Sequence, residues 1–108
     1  MKQTLKFEVE LDENHLPLNI KMNASDGAAN EDNIKALIVS AWAAKTKETL
    51  RIDLWTKDMP VNEMFIMYHQ TMMGMANTLE KATGHERLAG ALKDYCEFFA
   101  EQTEIKGA

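Results

Sequence analysis

The sequence predicts an α+β fold, with a small antiparallel sheet of three to four strands from the N-terminal half packed against a C-terminal helical hairpin. Two patterns lead to this. Apolar residues recur at every second position from Leu5 to Leu11, from Leu18 to Met22 and from Leu50 to Leu54, the period of a strand, and at helical spacing from Val61 to Phe99. A third observation sets the frame: 108 residues, 45% hydrophobic and 27% charged, is the size and balance of one ordered domain, taken here as residues 1–108.

The first strand reads from Leu5, Phe7, Val9 and Leu11, which alternate with Lys6, Glu8 and Glu10. Asp12, Glu13, Asn14 and Pro17 supply turn chemistry. Alternation resumes with Leu18, Ile20 and Met22, giving an antiparallel pair with one face packed and one face wet. Residues 23–33 hold no large apolar side chain and read as a surface loop, the most mobile part of the chain. The segment 34–44 has two readings. Ile34, Leu37, Ile38, Ala41 and Trp42 fall at helical spacing behind a cap at Asp32 or Asn33, which favours a helix. Against that, Leu37-Ile38-Val39 suits a buried strand, with Lys45–Glu48 as its hairpin turn.

Leu50, Ile52 and Leu54 then mark another strand, whose other face carries Arg51, Asp53 and Trp55 side by side. A tryptophan there is more often covered than open; left open, it is a natural binding anchor. A helix starts around Pro60, with Asp58 or Met59 as its boundary and Glu63 adding favourable charge to its first turn. Val61, Met64, Phe65, Tyr68, Met72, Met75, Ala76 and Leu79 trace its inner stripe, and Gly84 ends it with Lys81 in the last turn. A second helix is predicted with Leu88, Leu92, Tyr95 and Phe99 facing inward, followed by a fraying tail at 103–108.

The chemistry points away from catalysis. A net charge of −5, with the densest basic group only Lys45, Lys47 and Arg51, argues against nucleic-acid binding. No apolar run approaches the roughly 18 residues of a membrane span, and MKQTLKFEVE lacks a signal-peptide core, so no membrane insertion and a cytoplasmic location are expected. Cys96 is the only cysteine and reads as structural, because its helix offers no electropositive setting for a thiolate. His15, His69 and His85 make no paired-ligand spacing, and no phosphate-cradling or calcium-loop motif occurs. No metal and no cofactor is expected, and the protein is read as no enzyme. Asp53 with His69 is the remaining acid–base combination.

Five of eight methionines fall between Met64 and Met75. Met64, Met72 and Met75 belong to the inner stripe, whereas Met67 and Met73, with Ile66, point elsewhere on the helical wheel. Those three are either covered within the monomer or form a partner or homodimer surface. The candidate partner surface is therefore Arg51, Asp53 and Trp55 on the strand with Ile66, Met67 and Met73 on the long helix.

The stretch Leu50–Gly84 resembles the gliding motility protein GldC family of Bacteroidota, most specifically in the run Leu50-Arg51-Ile52-Asp53-Leu54-Trp55-Thr56-Lys57-Asp58-Met59. His69-Gln70-Thr71, Met75-Ala76 and Ala82-Thr83-Gly84 extend the resemblance, as do Val9–His15 with Pro17, Asp94-Tyr95-Cys96 and Phe99-Ala100-Glu101. The chain departs from the family pattern at Trp42-Ala43-Ala44, where an acidic residue commonly follows the tryptophan, and at Phe65 or Ile66, where a more polar residue is usual. The resemblance implies a non-enzymatic accessory or adaptor protein, supporting gliding motility and its linked secretion machinery through protein partners. The alternative is a small-molecule or lipid carrier with a methionine- and aromatic-lined pocket between sheet and helices.

Overall fold

A computed structural model describes residues 1–105. The element order is β1 (Leu5–Leu11), β2 (Pro17–Ala24), β3 (Glu31–Ile34), β4 (Ala36–Ala43), β5 (Glu48–Trp55), α1 (Val61–Thr83) and α2 (Glu86–Thr103). The fold is α+β, and the chain divides into two compact units, Met1–Met59 and Pro60–Ala108.

In the first unit, β1, β2 and β3 form one antiparallel sheet, and β4 and β5 form another. The pairing of β1 with β2 sets Phe7 against Met22 and Val9 against Ile20. Ile20 also faces Ile34 of β3, so an apolar row crosses all three strands, and Ile20 at its centre is fully buried. The wet-and-packed alternation is graded, since Leu5, Val9 and Leu11 stay partly exposed. The expected 23–33 loop is shorter than its composition suggests. Asn23 and Ala24 complete β2 and Glu31 opens β3, leaving a turn closed by Gly27 N–H donating to Ala24 C=O at 2.9 Å, with Gly27 at φ 74°. Glycine takes that left-handed backbone without a Cβ penalty.

The preferred helix over 34–44 is overturned: Ala36–Ala43 is a strand. Each of its residues pairs with one of β5, from Ala36 opposite Trp55 to Ala43 opposite Glu48. The turn between them closes through Lys47 N–H donating to Ala43 C=O at 2.8 Å, with Lys47 in the left-handed region at φ 58°. A full-length partner strand supplies a ladder that the local helical spacing had no counterpart for.

The second unit is the helical hairpin. Val61–Thr83 begins after Pro60 rather than at Asp58 or Met59, and Gly84 terminates it at φ 70° with its N–H bonded to Glu80 C=O. His85 caps α2, its Nδ1 accepting the Leu88 N–H at 3.2 Å. The helices close along His69, Ala76, Ala89 and Cys96, all buried. Each pair is seven residues apart, two turns along one face. The expected inner positions Val61, Phe65, Tyr68, Met75, Leu88 and Tyr95 are exposed. Small side chains let the helix axes approach, so the bulky ones move to the flanks. Phe65 and Phe99 still meet edge to face there, with ring centroids 6.1 Å apart. Of the tail expected to fray, residues 106–108 lie outside the described residues.

Candidate functional site

Arg51, Asp53 and Trp55 lie on one face of β5, as alternation requires, and the register adds Ile38, Ser40 and Trp42 of β4 to that face. Arg51 Nη2 donates to Asp53 Oδ1 at 3.0 Å, both side chains being open to solvent. Trp55 is 59% exposed and Trp42 66% exposed. The more frequent expectation, a covered Trp55, is not met. Helical spacing over 34–44 hides the face that Trp42 shares with Trp55, because only a strand paired with β5 brings the two onto one surface. Thr49 stands opposite Trp42, and six strand residues on from Thr49 put the two indoles about 20 Å apart.

The opposite face of the hairpin carries Leu37, Val39, Leu50, Ile52 and Leu54. It was expected to be the packed side, but Leu50 is 60% and Ile52 53% exposed. Both faces of β5 are thus open along its middle.

The exit of β5 is tightly fixed. Thr56 is buried, donates its N–H to Lys35 C=O at 2.8 Å and its hydroxyl to Asp58 Oδ1 at 2.7 Å, and accepts the Met59 N–H. Lys35, the single residue between β3 and β4, also reaches Asp58 Oδ2 with its ammonium at 2.9 Å. Lys57 donates its N–H to Pro17 C=O and its ammonium to Asp12 Oδ2 at 2.9 Å. Asp12 in turn accepts the Asn14 and Leu16 N–H groups on Oδ1. The Lys57 ammonium, followed by the Leu16 N–H, holds the Asp12 carboxyl below its usual range. Lys35, followed by the Thr56 hydroxyl, does the same for Asp58. These bonds stitch the two sheets together beside Trp55. They leave an open cleft of about 290 Å³ lined by Leu16, Pro17, Asp53, Leu54, Trp55 and Lys57.

On α1 the three candidates Ile66, Met67 and Met73 are each half-buried rather than open. Ile66 and Met73 flank His69 and Ala76 on the wheel, the line along which the helices close. The exposed large apolar residues of α1 are Val61, Phe65, Tyr68 and Met75 instead, with Val61, Tyr68 and Met75 spaced seven apart on a second stripe. Beside Met75, a broad depression of about 610 Å³ runs over Gly74, Leu79 and Leu92.

The remaining chemistry is structural. Cys96 is buried, and burial pushes its thiol pKa up, away from a reactive thiolate. His69 is buried in the helix pair, and Asp53 is engaged by Arg51. Among the described residues no group of three or more His, Cys, Asp or Glu side chains is placed to hold a metal ion. Nor is any described helix long and apolar enough to cross a membrane.

Fold and site together define a small α+β protein that carries open surfaces on its described residues. The model of the family described as gliding motility-associated protein GldC-like matches residues 17–105. The chain belongs to that family, which is associated with gliding motility and is not a known enzyme family. Searches of curated proteins and of solved structures return no match.

Proposed function

We propose that this protein is a non-enzymatic adaptor of the gliding-motility apparatus and its linked secretion machinery, working in the cytoplasm through protein contacts. The observation that carries the reading is the exposed tryptophan face of the β4–β5 hairpin, with Trp42 and Trp55 at its ends and the Arg51–Asp53 pair between. Exposed tryptophan beside arginine is the composition of an interface anchor, because a large rigid ring gains much contact area at little entropy cost. Family membership supplies the setting, gliding motility.

The test is affinity capture from a gliding bacterium with the wild-type chain and with Trp55→Ala. The wild type is expected to enrich motility or secretion components, and the variant to lose them while keeping its helical ellipticity and the native emission of Trp42. Equal capture by a folded variant would remove Trp55 from the interface, and enrichment of no such component would sink the adaptor reading.

A further inference from the structure

Among the described residues, β5 has β4 as its one hydrogen-bonded neighbour. Thr56 N–H donates to Lys35 C=O, on the β4 side, whereas Lys57 N–H donates away from β4, to Pro17 C=O. Backbone groups alternate sides along a strand, so the N–H and C=O of Thr49, Arg51, Asp53 and Trp55 face the open edge. That open stretch is bounded by the left-handed turn residue Lys47 at one end and by the bonded Lys57 at the other. Its midpoint is Ile52.

We propose that two copies of this chain join by antiparallel pairing of β5 with β5 about a two-fold axis at Ile52, making one continuous four-stranded sheet. Side-chain charge selects this register. With the axis at Ile52, Arg51 lies directly opposite Asp53 of the second copy, and Asp53 opposite its Arg51. Every charge then has opposite charges as neighbours both along its own strand, where the 3.0 Å pair already exists, and across the new one. Moving the axis to Arg51 or to Asp53 sets like charges face to face. Charged residues on an edge strand normally discourage pairing; here they permit one partner in one register. On the other face, Leu50 meets Leu54 of the second copy and Ile52 meets its counterpart, which removes water from the half-exposed Leu50 and Ile52. A two-stranded ribbon alone is marginal in water, and four strands give the ladder independent stability. The pairing is independent of the adaptor reading: a monomer would overturn it and leave the capture experiment untouched.

The experiment is light scattering on the full chain and on two charge reversals, Arg51→Asp and Asp53→Arg, each confirmed as folded by native indole emission from the unit that carries them. The wild type is expected at twice the 12.3 kDa chain mass. Each reversal makes the edge single-signed and is expected to weaken the dimer by about tenfold or more. Mixing the two reversed proteins sets an all-acidic edge against an all-basic one and is expected to restore the dimer. Because each reversed chain has lost its internal Arg51–Asp53 pair, restoration reports pairing between copies. A monomeric wild type, a dimer indifferent to both reversals, or a mixture that stays monomeric would each overturn the proposal.

Discussion

Asp12 shows how one side chain fixes a piece of this fold. Its two carboxylate oxygens accept from the Asn14 and Leu16 N–H groups and from the Lys57 ammonium, so one residue shapes the β1–β2 turn and ties it to the chain leaving β5. Because these bonds hold its pKa below the usual value in the folded chain, the ionised form stabilises the fold. That stability is fully present above the unfolded value of about 3.9 and is lost as pH falls through the lowered folded value. Asp58, lowered by Lys35 and Thr56, contributes with the same sign. Asp12→Asn is therefore expected to melt at a lower temperature at neutral pH and to lose less stability on acidification than the wild type. Thermal melts from about pH 6 down to about pH 2 check this; parallel acid limbs would detach Asp12 from the pH dependence.

At the scale of elements, the helix pair and the β4–β5 hairpin show two different limits of local pattern. The helices close on Ala76, Ala89, Cys96 and His69, and enlarging one of these must push the axes apart. Ala89→Leu is expected to cost about 1–3 kcal/mol by overpacking, read as a lower midpoint in chemical denaturation; an unchanged midpoint would mean the hairpin is loosely seated there. The strands β1, β2 and β5 and both helices were legible because periods of two and of about 3.6 are written in neighbouring residues. So was the sharing of one face by Arg51, Asp53 and Trp55. Segment 36–43 was not, since its state depends on β5, a partner strand across a turn. The helix seam is legible in part: Ala76 lies on the inner stripe and Cys96 reads as structural, but bulky Met75, Leu88 and Tyr95 read as inward too, and seams are set by how near two backbones can come. Alanine and cysteine seven apart, in Ala89 and Cys96, were the available signal. Trp42 was lost to the candidate face along with its strand.

For the whole molecule, the placement of its reporter groups is informative. Both tryptophans belong to Met1–Met59, and both helices to the remainder of the chain. Indole fluorescence therefore follows one unit and far-ultraviolet ellipticity chiefly the other. Among the described residues few are fully buried in either: Ile20 and Thr56 in the first, Ala76, Ala89 and Cys96 in the second. Units with cores this small rarely stand alone, and we expect the two signals to melt in one transition, as a single domain over 1–108 requires. Two separated transitions would show that the units unfold independently.

The solitary buried cysteine has a practical consequence. With Cys96 shielded and its thiol held protonated, maleimides and spin-label reagents meet almost no native competitor on this chain. A cysteine placed at Ile52 would be the one rapidly labelled position, and its natural partner for oxidation would be its own equivalent. Two such residues facing each other at a non-hydrogen-bonded site sit about 4.5 Å apart between Cα atoms, inside the range a disulfide spans. The protein thus arrives already masked for site-directed chemistry, and the edge of β5 can be interrogated one thiol at a time.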